Sequence, residues 1–495
     1  MIPVPTLHIV AILPVLLLAV GAFAVLLAEL FLSSRGTGKS GAGSVFVGVS
    51  GATLLVVVVI AAQGFISAGA PAFNPDHPML HLDRFSYFAI GLVAGAALLS
   101  CLLANGYLQE LRIHHGEFYA LLLLSTAGMV LLVSAVDFLS VFLGIELMSI
   151  PLYVLAGFDR GKPRSNESAL KYFIAGSFAT ALLLYGMALV YGATGATHFA
   201  AIAARLDPDD SMAMAGVALI LVGFAFKVSS VPFHQWTPDV YEGAPTAVTA
   251  FMSVTVKVAA FVALLRILAQ AFGSAEALGT VLALLAALSM LIGNLMAIIQ
   301  DNVKRMLAWS AIAQAGYLLV PLSTGTPEGQ AAVLFYLAVY VFGNLGAFAV
   351  MIALTHRGQE ADRFEDFDGL AKFRPGLAAA MVLFMVSLAG IPGTAGFMGK
   401  LQIFFAAIRA DQLPLAILMA LTSVVSVYYY LRLPIAMYMR PAREHPHRKE
   451  LDFLEFTVLA TCAIFVLVLG LLPNTLDWLP VIDWTHQSAA ALASK

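Results

Sequence analysis

The chain has 495 residues, of which 61% are hydrophobic and only 11% are charged, and its formal net charge is −3. A soluble domain is about half apolar and about a quarter charged, so this composition indicates a polytopic membrane protein and excludes an ordinary soluble enzyme. Nothing indicates nucleic-acid binding, because neither a basic arm nor a glycine-rich phosphate loop is present. The two cysteines, Cys101 and Cys462, lie in separate apolar runs, so we expect no thiolate-bound metal or iron–sulfur cluster.

Apolar runs long enough to cross a bilayer follow one another along the chain. Since a span needs about 20 apolar residues, the sequence predicts an all-α polytopic protein with fourteen transmembrane helices, near residues 8–32, 44–68, 84–104, 116–134, 137–157, 168–192, 211–231, 247–271, 277–299, 303–322, 328–355, 376–409 (broken), 413–438 and 453–473. No long polar insertion separates them, so we expect one integral membrane domain over 1–495. The first run is too long for a signal-peptide core and follows no basic residue, so we expect it to be retained.

Basic residues are distributed unevenly between the predicted loops. Most of the 26 Lys and Arg residues lie in loops that follow odd-numbered helices, such as 159–164, 304–305, 357–374 and 440–449. Because membrane proteins keep positively charged loops on the cytoplasmic side, we expect these loops to face the cytoplasm. Both termini are then expected on the outer side.

Two of the predicted spans contain helix-breaking residues. The stretch LVGFAFKVSSVPFHQWTPDVYEGAPTAVTA, residues 221–250, is interrupted at Pro232, and helix twelve is interrupted by Gly390, Pro392, Gly393 and Gly396. A break frees backbone groups that lipid cannot bond, so each break is expected inside protein or beside a wet cavity. A simple proline kink explains either break when it is considered alone.

The two broken helices are the seventh and the twelfth, five helices apart. Matching interrupted spans in two units are typical of inverted repeats in ion transporters. We therefore predict one five-helix repeat of helices 4–8 over 116–271 and a second of helices 9–13 over 277–438. Helices 1–3, residues 1–110, precede the repeats, and helix 14, residues 453–473, follows them.

Charged residues within the apolar runs are the candidate functional groups. An ammonium at the centre of a span costs about 2.5–3.5 kcal/mol even on the lenient insertion scale, yet Lys227 and Lys257 both lie in such runs, and Lys400 follows the second break. Glu146 lies in the middle of helix five and is the best candidate partner for Lys227. A carboxylate that approaches and leaves a buried amine changes how tightly the amine holds its proton, so the pair could act as a proton switch. The alternative is a structural carboxylate bonded to neighbouring hydroxyls.

Other polar residues in the spans are weaker candidates. Lys171 lies near the start of helix six, where snorkelling to the surface is as good an explanation as function, and snorkelling is the better explanation for Arg266 and Arg432. His234 is the only one of the eleven histidines placed in a membrane break, so a bis-histidine haem has no candidate pair. Gln314 lies in mid-span and could orient water. The remaining polar residues in the spans are Ser177, Thr180, Ser253, Thr255, Asn294, Ser310, Asn344 and Ser387. Most of them are expected to serve helix packing.

Five segments resemble one known family. GIELMSIPLYVLAGFDR, ESALKYFIAGSFATALLLYGMALVYGATG, FKVSSVPFHQWTPDVYEGAPTAVTAF, NVKRMLAWSAIAQAGYLL and GIPGTAGFMGKLQIF resemble subunits N of the proton-translocating NADH:quinone oxidoreductase, respiratory complex I. These are antiporter-like membrane-arm subunits related to Mrp-type Na⁺/H⁺ antiporters. The ALKYF segment and the YGATG ending favour subunit N over its two sister subunits.

The resemblance implies a function and a set of site residues. Glu146 matches the helix-five glutamate of the family, Lys227 the helix-seven lysine, Lys257 the helix-eight lysine and Lys400 the helix-twelve lysine. Family members move protons through a hydrated polar axis, driven by quinone reduction elsewhere in the complex. Gln314 departs from the pattern, since many relatives have histidine there. If that histidine relays protons in the relatives, a water held by Gln314 must do so here, or the relay role is wrong.

The resemblance also implies cofactors, partners and location. No cofactor or metal is expected on this chain, and NADH, FMN, iron–sulfur clusters and quinone are expected on partner subunits. Partners are other membrane-arm subunits, including the sister antiporter-like subunits, and the lipid bilayer. The implied location is a bacterial inner membrane, with both termini on the periplasmic side.

Three other functions stay open from the sequence. The first is an Mrp-type Na⁺/H⁺ antiporter subunit, and co-purification of flavin and iron–sulfur subunits would distinguish complex I from it. The second is a scaffold whose buried charges only hold helices together. The third, an enzyme with its own quinone pocket, lacks support because no acid–base group facing a cavity can be identified.

Overall fold

The computed structural model describes residues 8–34, 39–67, 74, 78–273, 275, 277–441, 451–472 and 480–493. Nineteen α-helices occur there: α1 Leu13–Ser34, α2 Lys39–Ile66, α3 Arg84–Glu110, α4 Gly116–Ser134, α5 Phe138–Ala156, α6 Pro163–Thr194, α7 Phe199–Ala203, α8 Ser211–Lys227, α9 Trp236–Gly243, α10 Thr246–Gln270, α11 Ala277–Ile298, α12 Val303–Ser323, α13 Pro327–Ala353, α14 Leu370–Phe373, α15 Pro375–Ala389, α16 Ala395–Arg409, α17 Leu413–Met439, α18 Phe453–Leu471 and α19 Val481–Ala493. Single 3₁₀ turns lie at Ile9–Ile12 and Phe364–Phe367. Within these residues there is no β-strand, so the all-α prediction is confirmed.

The helices identify a multi-pass membrane protein. Among the described residues, 12 helices are long and apolar enough to cross a membrane. Two shorter apolar helices, α8 and α15, lie where the two broken spans were predicted, and a second short helix follows each. The inverted repeats, the exact helix count and the domain boundaries stay predictions. Most of the basic loop 440–449 lies outside the described residues.

The centre of the bundle is formed by α10, α12 and α13. The apolar windows of α10 and α12 are entirely buried and that of α13 is 94% buried, whereas those of α1, α2 and α17 are 33% buried. A polar side chain on a central helix therefore contacts other protein rather than lipid. Lys257 on α10 and Gln314 on α12 lie on these central helices.

The first break lies between α8 and α9. After Lys227 the backbone turns at Ser229, whose φ is +64°, and Pro232 has no N–H to continue a helix. The indole Nε1 of Trp236 donates to the carbonyl of Phe226 at 3.1 Å. The same carbonyl also accepts from the main-chain N–H of Ser229 at 3.1 Å, so both partners of this helix-end carbonyl are protein groups.

The second break lies between α15 and α16 and depends on glycine. Gly390 ends α15 with φ +85°, and Gly393 follows with φ +88°, a conformation that other residues rarely adopt. At Gly396 an added Cβ atom would collide with the carbonyl of Ser387. The two halves of the broken helix can approach this closely only because position 396 has no side chain.

The expectation that Arg266 snorkels to the surface is wrong. Its side chain is 1% exposed, and its guanidinium donates to Asp83 at 2.8 Å and to Ser86 at 3.0 Å. Burial alone would raise the pKa of Asp83, but the charge of Arg266 outweighs burial and holds that pKa well below its usual range. Arg432, by contrast, is partly exposed and donates to the carbonyls of Ile298 and Gln300 near the end of α11.

Arg266→Ala is expected to destabilise the protein by about 3–5 kcal/mol, because it leaves the Asp83 carboxylate buried without its cation. The measurement is the unfolding temperature of the purified protein. The double variant Arg266→Met with Asp83→Asn removes both charges and should recover most of the loss. An unchanged unfolding temperature in the single variant would show that the pair contributes nothing to stability.

Candidate functional site: a line of buried lysines

Lys227 is buried beside α5, but its direct partner is a serine. The ammonium is 3% exposed and donates to the hydroxyl of Ser149 at 2.6 Å. Ser149 lies one helical turn after Glu146 on α5, so Glu146 is close to Lys227 without forming a direct ion pair. Lys227 also lies in the last turn of α8, where the carbonyl dipoles of a helix end favour a cation. The structure therefore shows an ammonium held by neutral oxygen atoms, with a carboxylate one turn away.

Glu146 is only partly buried in the isolated chain. It lies on α5 between exposed apolar residues, of which Leu143 is 53% and Ile150 is 55% exposed. Since lipid contacts this face unless protein covers it, a carboxylate here requires a polar neighbour. The residue predicted to pair with Lys227 thus also reaches the outer surface of the chain.

Lys257 lies at the centre of the bundle. Its side chain is 2% exposed, its ammonium donates to the main-chain carbonyl of Ala311 on α12, and it lies 5.8 Å from the centre of the Tyr340 ring. One turn earlier on α10, Ser253 accepts a hydrogen bond of 2.8 Å from Asn344. Lys257 therefore lies between α10, α12 and α13 with oxygen and aromatic partners and no ion pair with any described carboxylate.

Lys400 uses the carbonyl end of the second broken helix. Its ammonium donates to the carbonyl of Ala389, the last residue of α15, at 2.9 Å, and to the hydroxyl of Ser423 at 2.8 Å. It also lies 4.7 Å from the centre of the Tyr317 ring. A helix end leaves carbonyls free and carries partial negative charge, so the break creates the site that holds this cation.

Gln314 connects α12 to the same helix end. Its Nε2 donates to the carbonyl of Leu388 at 3.2 Å and to the hydroxyl of Tyr430 at 3.0 Å, and its Oε1 accepts from Tyr336. Leu388 and Ala389 are adjacent, so consecutive carbonyls of α15 bind Gln314 and Lys400. All the hydrogen-bonding atoms of this amide are thereby occupied by protein groups.

The two remaining predicted residues lie at the edge of this arrangement. Lys171 is exposed and forms ion pairs of 2.7 Å with both Glu167 and Asp239, so it is a surface cation near α9 rather than a member of the buried line. His234 lies in the first break, half-buried, with its ring 5.3 Å from that of Trp309. Its Nδ1 is buried and bonds no protein atom among the described residues.

Several residues near the lysines were missed by the sequence analysis. Ser149 and Ser423 bind lysines directly, and an aromatic ring lies near each of the three ammonium groups, including that of Tyr153 at 5.9 Å from Lys227. Serine and tyrosine are common in membrane helices, so the presence of either residue in a span does not by itself indicate a functional role. The helical spacing of Ser149 from Glu146 is the one feature that could have indicated its role.

Glu360 anchors the helix that carries Lys257. Its carboxylate accepts from the main-chain N–H of Thr246 at 2.9 Å, from the Thr246 hydroxyl at 2.6 Å and from Tyr107, and Lys304 lies 3.7 Å away. Thr246 is the first residue of α10, so Glu360 supplies the N-terminal cap that Pro245 cannot. Burial alone would raise the pKa of Glu360, but Lys304 and the hydrogen bonds hold it at about 2.

One group of side chains could in principle hold a metal ion. The ligand atoms of Glu29, His115 and Glu117 all lie within 4.8 Å of one another. The group is partly exposed, lies at the N-terminus of α4 and does not include any lysine of the buried line. Acidic residues are common at helix N-termini because the helix dipole favours them, so this arrangement needs no metal.

Known proteins resemble this chain over most of its length. A family model described as NADH:quinone oxidoreductase/Mrp antiporter, TM, matches residues 135–426. NADH-quinone oxidoreductase subunit N 1 of Sorangium cellulosum is 45% identical over 94% of this chain and 96% of that protein. Subunit N of Trichlorobacter lovleyi is 42% identical over 95% of each chain.

Solved structures share the fold. A chain in respiratory complex I from Thermus thermophilus with bound Aureothin is 36% identical, with a TM-score of 0.78 over 94% of this chain and 98% of that one. A chain in the Mrp complex from Dietzia sp. DQ12-45-1b has a TM-score of 0.83 over 97% of this chain and 98% of that one. At 23% identity, this second likeness shows the fold alone.

Glu360→Gln is expected to lower the stability of the protein by an amount on the order of 3 kcal/mol near neutral pH, because the charged carboxylate loses its interaction with Lys304. A carboxyl whose pKa is lowered on folding stabilises the fold fully above its ordinary value of 4.5, and this contribution is lost as the pH falls towards 2. The difference in unfolding temperature between the native chain and the variant should therefore be constant from pH 8 to about pH 5 and shrink below that.

Glu328→Gln is the matched control, since Glu328 is exposed on the first turn of α13. It should leave the unfolding temperature unchanged at every pH. An equal change of the unfolding temperature in both variants would mean that Glu360 stabilises the fold no more than an exposed glutamate does.

Proposed function

Because the chain belongs to the family of NADH:quinone oxidoreductase and Mrp antiporter membrane subunits, and within it to the NADH-quinone oxidoreductase subunits N, we propose that it moves protons along Glu146, Lys227, Lys257 and Lys400. The chain is an antiporter-like subunit of a multi-subunit membrane complex. Quinone reduction on other subunits drives the movement. No redox step occurs on this chain, and NADH, FMN, iron–sulfur clusters and quinone bind to partner subunits.

The observation that carries the proposal is the burial of three lysines with neutral partners. Lys227, Lys257 and Lys400 are 3%, 2% and 6% exposed, and each ammonium donates to hydroxyl or carbonyl oxygens. An ammonium is costly to bury without a carboxylate in contact, and lysine can relieve that cost by exchanging its proton. A purely structural charge would be expected in a closed ion pair, like that of Arg266 with Asp83.

Unsatisfied polar atoms support a hydrated axis. The hydroxyls of Ser229, Thr237 and Tyr340, Nδ1 of His234 and Oδ1 of Asn344 are buried and bond no protein atom within the described ranges. Buried polar groups are almost always hydrogen-bonded, and water supplies the bond where protein does not. These atoms lie at the first break and beside Lys257, where a proton path needs water.

Exposed polar features indicate where partner subunits lie. Glu146 is half-buried on α5, and Pro232, Gln235, Pro392 and Gly393 are exposed at the two breaks. Freed backbone and a carboxylate do not face lipid. We therefore infer that sister antiporter-like subunits and other membrane-arm subunits cover these surfaces, and that the proton path continues through Glu146 into a neighbour.

The charge distribution supports one orientation. The end of the bundle with Arg164, Lys304 and Arg305 faces the cytoplasm, and both termini face the outer side of a bacterial inner membrane. Lys171 and Asp239 lie near the cytoplasmic end in this orientation, where they are suited to attract protons. His234 and Gln314 are proposed as polar members of the axis rather than as proton carriers of their own.

Lys227→Ala is expected to lower coupled NADH:quinone turnover at least about tenfold in the assembled complex, because one proton-exchanging group is missing. Lys227→Arg should fail as well, since a guanidinium does not release its proton. Proton uptake per NADH oxidised in membrane vesicles is the measurement. Lys372→Ala, at an exposed lysine on α14, is the control and should pump normally.

An assembled Lys227→Ala complex with a normal proton-to-electron ratio would contradict the proposal. It would favour the scaffold alternative, in which the buried charges only hold helices together.

Sodium dependence distinguishes the Mrp-type alternative. We expect proton pumping to be unchanged when all Na⁺ is replaced by K⁺, and the purified complex to contain flavin and iron–sulfur subunits. Pumping that requires Na⁺, in a complex without flavin, would instead support a Na⁺/H⁺ antiporter.

A further inference from the structure

Buried tyrosine side chains lie beside Lys257, beside Lys400 and beside one another. Five of them are at most 2% exposed and come from three helices, α12, α13 and α17, namely Tyr317, Tyr336, Tyr340, Tyr429 and Tyr430. A phenol hydroxyl can donate and accept a hydrogen bond at the same time. A series of such groups can therefore exchange protons, which an apolar core of phenylalanine cannot.

Two of these tyrosines share the amide of Gln314. Tyr336 on α13 donates to Oε1, and Tyr430 on α17 accepts from Nε2 at 3.0 Å. The hydroxyl of Tyr430 also bonds the hydroxyl of Ser310 on α12. One amide thus fixes two phenol oxygens that come from different helices, α13 and α17.

The series begins beside Lys257. Tyr340 lies one turn after Tyr336 on α13, and the Lys257 ammonium lies 5.8 Å from the centre of its ring. The Tyr340 hydroxyl is buried and bonds no protein atom among the described residues. It is therefore available to a water or to a moved lysine side chain.

The series ends beside Lys400. Tyr429 donates to Oδ1 of Asn294 at 3.0 Å, and Nδ2 of the same amide donates to the hydroxyl of Tyr317 at 3.1 Å. The ammonium of Lys400 lies 4.7 Å from the centre of the Tyr317 ring. The rings of Tyr429 and Tyr430 lie 4.5 Å apart, so the two pairs of phenols, each bridged by an amide, are neighbours.

We propose that Tyr336 and Tyr430, held by Gln314, relay the proton between Lys257 and Lys400. This inference rests on the proposed function, because it assumes that both lysines exchange protons. In each step a phenol oxygen takes a proton from a water on its Lys257 side as its own O–H bond breaks towards a water on its Lys400 side, so no tyrosine keeps a charge and no proton passes through the amide. Gln314 neither gains nor loses a proton and acts as a positioning residue.

The arrangement gives a physical reason for glutamine at position 314. A neutral amide offers one acceptor and two donors, and here all three directions are used, towards Tyr336, Tyr430 and the carbonyl of Leu388. An imidazole at this position could bond the same phenols and also titrate. Gln314→His should therefore preserve function, whereas Gln314→Leu should release both hydroxyls.

The test replaces hydroxyls without changing ring packing. Tyr336→Phe and Tyr430→Phe are introduced into the complete complex, and proton uptake per NADH oxidised is measured in vesicles, per assembled complex. Each variant should lose coupled turnover about tenfold or more, and Gln314→Leu should lose as much. Tyr428→Phe is the matched control, since Tyr428 lies two positions before Tyr430 on the same helix but is 61% exposed. This variant should leave proton uptake per NADH oxidised unchanged.

Solvent exchange provides a readout that packing would not affect. The rate of coupled proton uptake in ²H₂O, relative to the rate in ¹H₂O, should be lower in the Tyr430→Phe complex than in the native complex. In the Gln314→His complex this ratio should equal that of the native complex. If the phenylalanine variants pump normally while Lys257→Ala does not, the relay is wrong and the proposed function stands. If the lysine variants also pump normally, the proposed function itself fails.

Discussion

An ammonium group within a membrane bundle needs oxygen partners, and at Lys400 one of these partners is a carbonyl that a helix end leaves free. Where α15 stops at Gly390, the carbonyls of Leu388 and Ala389 lose their helical partners and bind Gln314 and Lys400. Where α8 stops, Lys227 lies in its last turn and reaches Ser149. The second break is therefore the structural source of the Lys400 site, and the first break places Lys227 in the last turn of α8.

The hydrogen-bond partners of the three buried lysines differ from those of Arg266, a buried cation that serves stability. Arg266 and Asp83 form a closed, buried ion pair of 2.8 Å, which holds α10 against the start of α3. The three lysines instead bind hydroxyls and carbonyls, and the nearest candidate carboxylate for Lys227, Glu146, lies a turn away from its contact. A closed ion pair fixes a charge, whereas neutral partners leave the amine free to exchange its proton.

Sequence reasoning predicted the all-α class, the two broken spans and the three buried lysines, because each has a local signal in hydropathy, in Gly and Pro, or in an isolated charge. It could not predict the contacts that give these residues their environment. Asp83 and Arg266 are 183 positions apart, and Gln314 and Tyr430 are 116 apart. Such pairs are set by packing between helices, so Arg266 was wrongly expected to snorkel, and Ser149, Glu360 and the tyrosines were not singled out.

The central claim is that water and hydroxyl groups link the buried lysines into one continuous path. The most direct measurement is a map of ordered waters in the assembled complex at a resolution that shows individual water molecules. The account predicts waters bonded to Nδ1 of His234, the hydroxyl of Tyr340 and Oδ1 of Asn344, joining Lys227 to Lys257 and on towards Lys400. Tight, dry apolar packing between these lysines, in both the resting complex and the complex during turnover, would contradict it.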